Sequence, residues 1–154
     1  ELFAGQPDPA PGPVHLFLTT PDRIRIDGGL DHLAVFSFSD KGVLRWQASC
    51  CGATLWNTMR TPKIPFATVR TDRLGDTEAL GPVRCTASVR KANGKTGNQG
   101  SIWLLATLAR TTLPARLTGA WRKTPLFDVT TGAPVRPVRL VSKTERAALL
   151  GETI

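Results

Sequence analysis

Residues 45–58 read RWQASCCGATLWNT. The run VLRWQAS (43–49) alternates apolar and polar side chains, the two-residue period of a strand with one face buried. ATLWNTM (53–59) reads as the strand that follows. Cys50 and Cys51 sit side by side where the first strand ends, with Gly52 behind them. The fold and the chemistry both turn on what this junction is: a metal site, a redox pair, or two thiols packed in a tight turn.

Upstream, LDHLAVFSFS (30–39) predicts a strand with Leu30, His32, Ala34, Phe36 and Phe38 on one face, and DKG (40–42) is the turn into VLRWQAS. VHLFLTT (14–20) is a strand ended by Pro21, and DRIRIDGG (22–29) a short second strand closed by Gly28 and Gly29, so a hairpin is expected there. FATVRT (66–71) follows the prolines at 62 and 65, which makes residues 14–71 an antiparallel meander. QPDPAPGP (6–13) can continue neither a helix nor a central strand, and residues 1–13 read as a linker.

Downstream, VRCTASVR (83–90) predicts one more strand and KANGKTGNQG (91–100) a polar loop. SIWLLATLARTTL (101–113) is apolar on most sides and reads as a buried helix starting at Ser101 and stopped by Pro114. A second short helix is expected around ARLTGAWRK (115–123), and Ser142 with Glu145 forms a capping box before the apolar run AALL. The predicted architecture is α+β and mainly antiparallel β: a single domain over 14–154, with a β core at about 14–90 and a helical C-terminal extension at about 100–154 covering one face.

With 154 residues, 41% of them hydrophobic, the chain is the size of one domain. No apolar run approaches the roughly 18 residues of a membrane span, so no membrane partner is expected. Three cysteines are too few for a disulfide framework and point to a reducing compartment, the cytoplasm. Glu1 opens the sequence and Met59 is its only methionine, so coding sequence is expected upstream. Residues 1–80 carry eight Lys/Arg against nine Asp/Glu, whereas residues 81–146 carry twelve against two, so an anion would be drawn to the second half.

A disulfide between Cys50 and Cys51 is disfavoured, because consecutive Cα atoms lie about 3.8 Å apart and an unstrained disulfide spans roughly 4.4–6.8 Å. Zinc accepts thiolates, and a turn ending in glycine lets backbone amides support the sulfurs. Neighbouring strand residues face opposite ways, however, so both sulfurs reach one ion only if the chain bends there. Further ligand candidates are Cys85, His15 and His32, and the chain has no Cys-x-x-Cys pair. The plain alternative is that one or both thiols pack as small hydrophobes.

The run from Val14 to Thr58, with RIDGG before a strand, KGVLRW returning, then Cys-Gly and ATLWNT, resembles the second half of the glutathione-dependent formaldehyde-activating (GFA) domain. It is more similar still to a bacterial GFA-like group in which an LRW strand runs into Cys-Cys, then NT, then a PF segment, as in PKIPF here; LPARLTGAWRKTPLFD is also similar to that group. The resemblance implies a β-tent of antiparallel strands with a structural and a catalytic zinc. Carried over, Cys51 before Gly52 matches the last ligand of the structural site, while the position three earlier is Ala48 and Cys50 stands as its substitute. The catalytic cysteines of such proteins would precede Glu1. The resemblance therefore implies a zinc-binding protein whose intact form is a carbon–sulfur lyase acting on a glutathione conjugate or similar small thiol adduct, with the chain as given catalytically silent.

The competing reading is a non-enzymatic module whose basic half binds an anionic ligand or nucleic acid. For an anion, Gly100 and Ser101 would present amides at a helix N-terminus beside Lys91 and Lys95. NGKT (93–96) lacks the earlier glycine of a phosphate-binding loop, since Val89 stands there. Aromatics are sparse in the basic half and no nucleic-acid reading module is present, which favours a solvated basic surface. His15 and His32 have no triad partners at a suitable spacing. The four tryptophans read as core or seam residues, with Trp56 near enough to the cysteines to line a pocket. Loss of the preceding strands would bare a sheet edge, from which a homo-oligomer or a covering loop is expected.

Overall fold

In the computed structural model, residues 14–90, 96–142 and 144–145 are described. Among the described residues the strands are β1 (Leu16–Thr19), β2 (Leu33–Ser37), β3 (Leu44–Ala48), β4 (Thr54–Thr58), β5 (Ala67–Arg70), β6 (Thr86–Arg90), β7 (Thr96–Gln99) and β8 (Val138–Leu140), and the long α-helix is α1 (Ser101–Leu117). Six strands form one sheet in the order β1-β5-β4-β3-β2-β8, and β6 and β7 form a separate ribbon. All pairings are antiparallel except that of β8 with β2. The protein is thus α+β with a mainly antiparallel sheet.

Residues directly opposite one another in a ladder share a face. The register places Phe17, Val69, Trp56, Trp46, Val35 and Val138 in one row across all six strands. The four central members of that row are buried, with Leu33 and Leu44 beside them. Trp46 is fully buried and donates its indole N–H to the equally buried Thr58 Oγ1 at 2.8 Å, so the large ring enters the core without stranding its polar atom. What covers this face is the segment Leu126–Phe127. Phe127 meets Trp46 edge to face at 6.0 Å, and Leu126 is fully buried. The covering loop closes on itself: Val135 N–H bonds to Leu126 O at 3.0 Å, and the Asp128 carboxylate accepts the Thr130 and Thr131 amides, each at 2.8 Å.

Several expectations are corrected. The segment 22–29 does not pair with β1. Pro21–Arg23 is a 3-10 turn, and β1 pairs with β5 instead. Leu30–His32 is likewise a 3-10 turn, entered through Gly29 at φ +74°, so the strand starts at Leu33 and Leu30 and His32 are not part of its face; within the strand Ala34 and Phe36 share the half-buried face and Leu33, Val35 and Ser37 the buried one. Part of the loop expected at 91–100 is a strand, because Thr96–Gln99 pairs with β6.

The helix does start at Ser101, but it passes through Pro114 to Leu117, where the Thr118 N–H and hydroxyl both bond to Pro114 O, at 2.9 and 2.7 Å. It is not buried: Ala115 is its one buried residue. The sheet's core face is already filled by Leu126, Phe127 and Ile24, and α1 lies to one side, near β1 and the 3-10 turn Ala120–Arg122. Nor is the C-terminal extension helical throughout. Beyond Arg122 it runs as loop, plugs the core and enters the sheet as β8. Trp103 is an exposed residue rather than a core one. The Glu145 N–H does bond to Ser142 Oγ at 3.1 Å, the expected N-cap contact, while the Glu145 carboxylate turns to Arg139 at 2.6 Å. The remainder of that helix and the linker 1–13 lie outside the described residues.

Candidate functional site

β3 ends at Ala48, and the chain reverses within four residues. Gly52 N–H and Cys51 N–H both bond to Ala48 O, at 2.8 and 3.4 Å, and Ala48 N–H bonds to Ala53 O at 2.9 Å. Gly52 makes the reversal possible. Its φ of +71° lies in the left-handed region, with open space where a side chain would be. The turn is tied to the 3-10 turn that precedes β2 by Ser49 N–H bonding to His32 O at 2.7 Å. This is the bend that two adjacent thiols need if they are to face the same way.

The two sulfurs differ in setting. Cys50 is exposed, whereas Cys51 is half-buried and packs against the edge of the hydrophobic core; neither is in a disulfide. The Cys50 thiol interacts with the Cys51 side chain, and this hydrogen bond, ahead of burial and of the neighbour's charge, pushes the Cys50 pKa up; the amides of residues 50 and 51 pull the other way. Cys50 is therefore biased toward the protonated thiol rather than primed as a thiolate nucleophile. A metal bound there would have to displace that proton.

Among the described residues, no group of three or more Cys, His, Asp or Glu side chains is placed to hold a metal ion. Cys85, half-buried just before β6, does not join the pair in such a group, and neither do His15 and His32. Of the anion-site residues, Lys91 and Lys95 lie outside the described residues. Gly100 precedes α1 at φ +76°, and a Cβ there would fall 2.1 Å from Arg84 O. Glycine at 100 is required by that close packing of backbone on backbone, whatever the ligand. Trp56 is a core residue, 4% exposed, whose indole nitrogen is buried without a partner among the described residues.

A family model described as a family of unknown function, DUF6151, matches residues 8–138. The chain belongs to the DUF6151 family. No curated protein and no solved structure matches it. The DUF6151 match takes in the cysteine turn, all of α1 and the Leu126–Phe127 plug, and it ends at Val138, the first residue of β8. What the sequence reading missed in the DUF6151 chain is the outward side of α1, where Ile102, Leu105, Leu113 and Leu117 are exposed. A helix apolar on all sides signals its existence but not its orientation.

Proposed function

We propose that the Cys50–Cys51–Gly52 turn is one corner of a zinc site in a GFA-like β-tent protein, and that the intact protein acts as a carbon–sulfur lyase on a glutathione conjugate or a related thiol adduct. The observation that supports this reading is the left-handed turn at Gly52, which sets two thiols in contact at the end of a sheet. Thiolates are what zinc binds most readily, and a closed tetrahedral site takes about four donors. The described residues supply two, so the remaining ligands must come from elsewhere, and no catalytic step is assigned to Cys50 or Cys51. Their part is to hold, with Cys51 anchored by the core and Cys50 facing outward. Bound zinc would supply an electrophilic centre and a positive field for thiolate chemistry. The reading places the protein in the reducing cytoplasm, where both residues stay thiols.

Metal analysis of the protein produced together with any natural upstream coding sequence tests this reading. The expected result is close to one zinc or more per chain, with one equivalent lost in Cys51→Ser. A metal-free protein, or zinc content unchanged by Cys51→Ser, contradicts it.

A further inference from the structure

The helix α1 turns a row of large apolar side chains to solvent. At about 100° per residue, Ile102, Leu105, Ala109, Leu113 and Leu117 fall on one stripe. Of these, Ile102, Leu105, Leu113 and Leu117 are 81, 65, 55 and 76% exposed. The opposite side carries Leu104, Thr107, Leu108, Thr111 and Ala115, all half-buried or buried. There the Thr107 and Thr111 hydroxyls satisfy themselves on the carbonyls of Trp103 and Thr107, each at 2.7 Å. A surface helix whose neighbours complete its environment has the reverse arrangement, with the apolar stripe inward.

Charge narrows what could cover that stripe. Between Glu78 and Asp128 the sequence has eight Lys/Arg and no acidic residue. Arg110 borders the stripe and Arg116 lies within it, and both are exposed. Arg116 also bonds to Lys63 O across a groove of about 300 Å³ in which Lys63 and Ile64 face Leu113. At the start of the helix the Arg84 guanidinium lies 5.1 Å from the half-exposed Trp103 ring. A second copy placed face to face would set these cations against one another, with no carboxylate on the helix to answer them. An anionic bilayer offers what the stripe lacks: an acyl layer for the leucines and phosphates for the arginines.

We propose that α1 docks the protein on an anionic lipid surface, lying in the plane of the interface with Ile102, Leu105, Leu113 and Leu117 inserted and Arg110, Arg116 and Lys63 at headgroup level. Trp103 suits that depth, having an apolar ring with a polar edge. Spanning is not involved. Seventeen residues make a helix of roughly 25 Å, short of the roughly 30 Å hydrocarbon layer. No described helix is long and apolar enough to cross a membrane. The sequence-based expectation of no membrane partner rested on the absence of a span, and a surface-lying helix does not need one. This inference is independent of the zinc reading.

Flotation of the full chain with phosphatidylcholine vesicles, with and without about 30% phosphatidylglycerol, tests it. Binding to the anionic vesicles is expected to exceed binding to pure phosphatidylcholine by at least about tenfold and to fall as salt rises. Leu105→Glu and, separately, Leu113→Ser are each expected to weaken binding about tenfold or more while leaving the far-ultraviolet circular dichroism unchanged, since both sites are exposed. Failure to float with anionic vesicles overturns the proposal. So does floating that neither variant weakens, which would be adsorption by diffuse charge alone. A concentration-dependent dimer in light scattering that Leu113→Ser abolishes would also overturn it, by assigning the stripe to a second copy.

Discussion

The central strands and the helix α1 are both built of Trp, Leu and Ala, yet they use them in opposite ways. In β3 and β4, Leu44, Trp46, Leu55 and Trp56 are buried, and the Trp46 indole N–H is satisfied inside the core. In α1, Trp103 and four aliphatic residues are exposed while threonines face inward. The difference teaches that hydrophobic composition fixes how much surface a segment would like to hide, and the room left on the sheet decides how much it can. Leu126 and Phe127 take that room.

The comparison can be broken most forcefully at Trp46. Trp46→Ala removes a fully buried ring, its contact with Phe127 and the bond to Thr58, and is expected to cost about 3–5 kcal/mol in denaturant unfolding. A loss below about 1 kcal/mol would show that the sheet is not where stability resides. At the sheet's far side, Arg70 is buried and its guanidinium meets the Asp72 carboxylate at 3.0 and 2.5 Å. That contact holds the Asp72 carboxyl below its ordinary range. Asp72→Asn is expected to cost about 1 kcal/mol at neutral pH, a figure reduced for the partial exposure of the carboxylate. Because the folded pKa is depressed, this contribution is present above the ordinary carboxylate pKa of about 3.9 and is lost as pH falls through the lower folded value. Wild type and Asp72→Asn should therefore converge in stability in acid.

On the helix, Leu105→Glu is expected to change unfolding free energy by no more than about 0.5 kcal/mol, since the side chain is already in solvent. A loss as large as that of Trp46→Ala would mean that α1 belongs to the core. The smallest effect is chemical. Cys50, though exposed, should react with iodoacetamide more slowly than an unperturbed thiol near pH 8, and Cys51→Ala should speed that reaction by removing the contact that raises the Cys50 pKa.

Much of this was legible in the residues. The alternation in VLRWQAS and the apolar run ATLWNT gave β3 and β4, and the doubled cysteine before glycine gave the bend between them. The start of β2 was not legible, because a left-handed Gly29 and a single 3-10 turn delay it by three residues and nothing in LDHLAVFSFS marks that delay. TGNQ has the composition of a loop, and only its pairing with β6 makes it β7. The plug at Leu126–Phe127 is two apolar residues in a proline- and glycine-containing stretch, too short to carry any period. At the candidate site the paired thiols could be read from sequence, but further ligands could not, since ligand grouping is a property of the folded chain.

Residue-resolved hydrogen exchange, with and without anionic vesicles, tests most directly the claim that the sheet carries the stability and α1 is held ready for a partner. The amides of β3 and β4 should exchange only through global unfolding. Those of α1 should exchange through an easier opening and slow markedly once vesicles are added. Protection of α1 equal to that of β3 in buffer, unchanged by vesicles, would contradict the account.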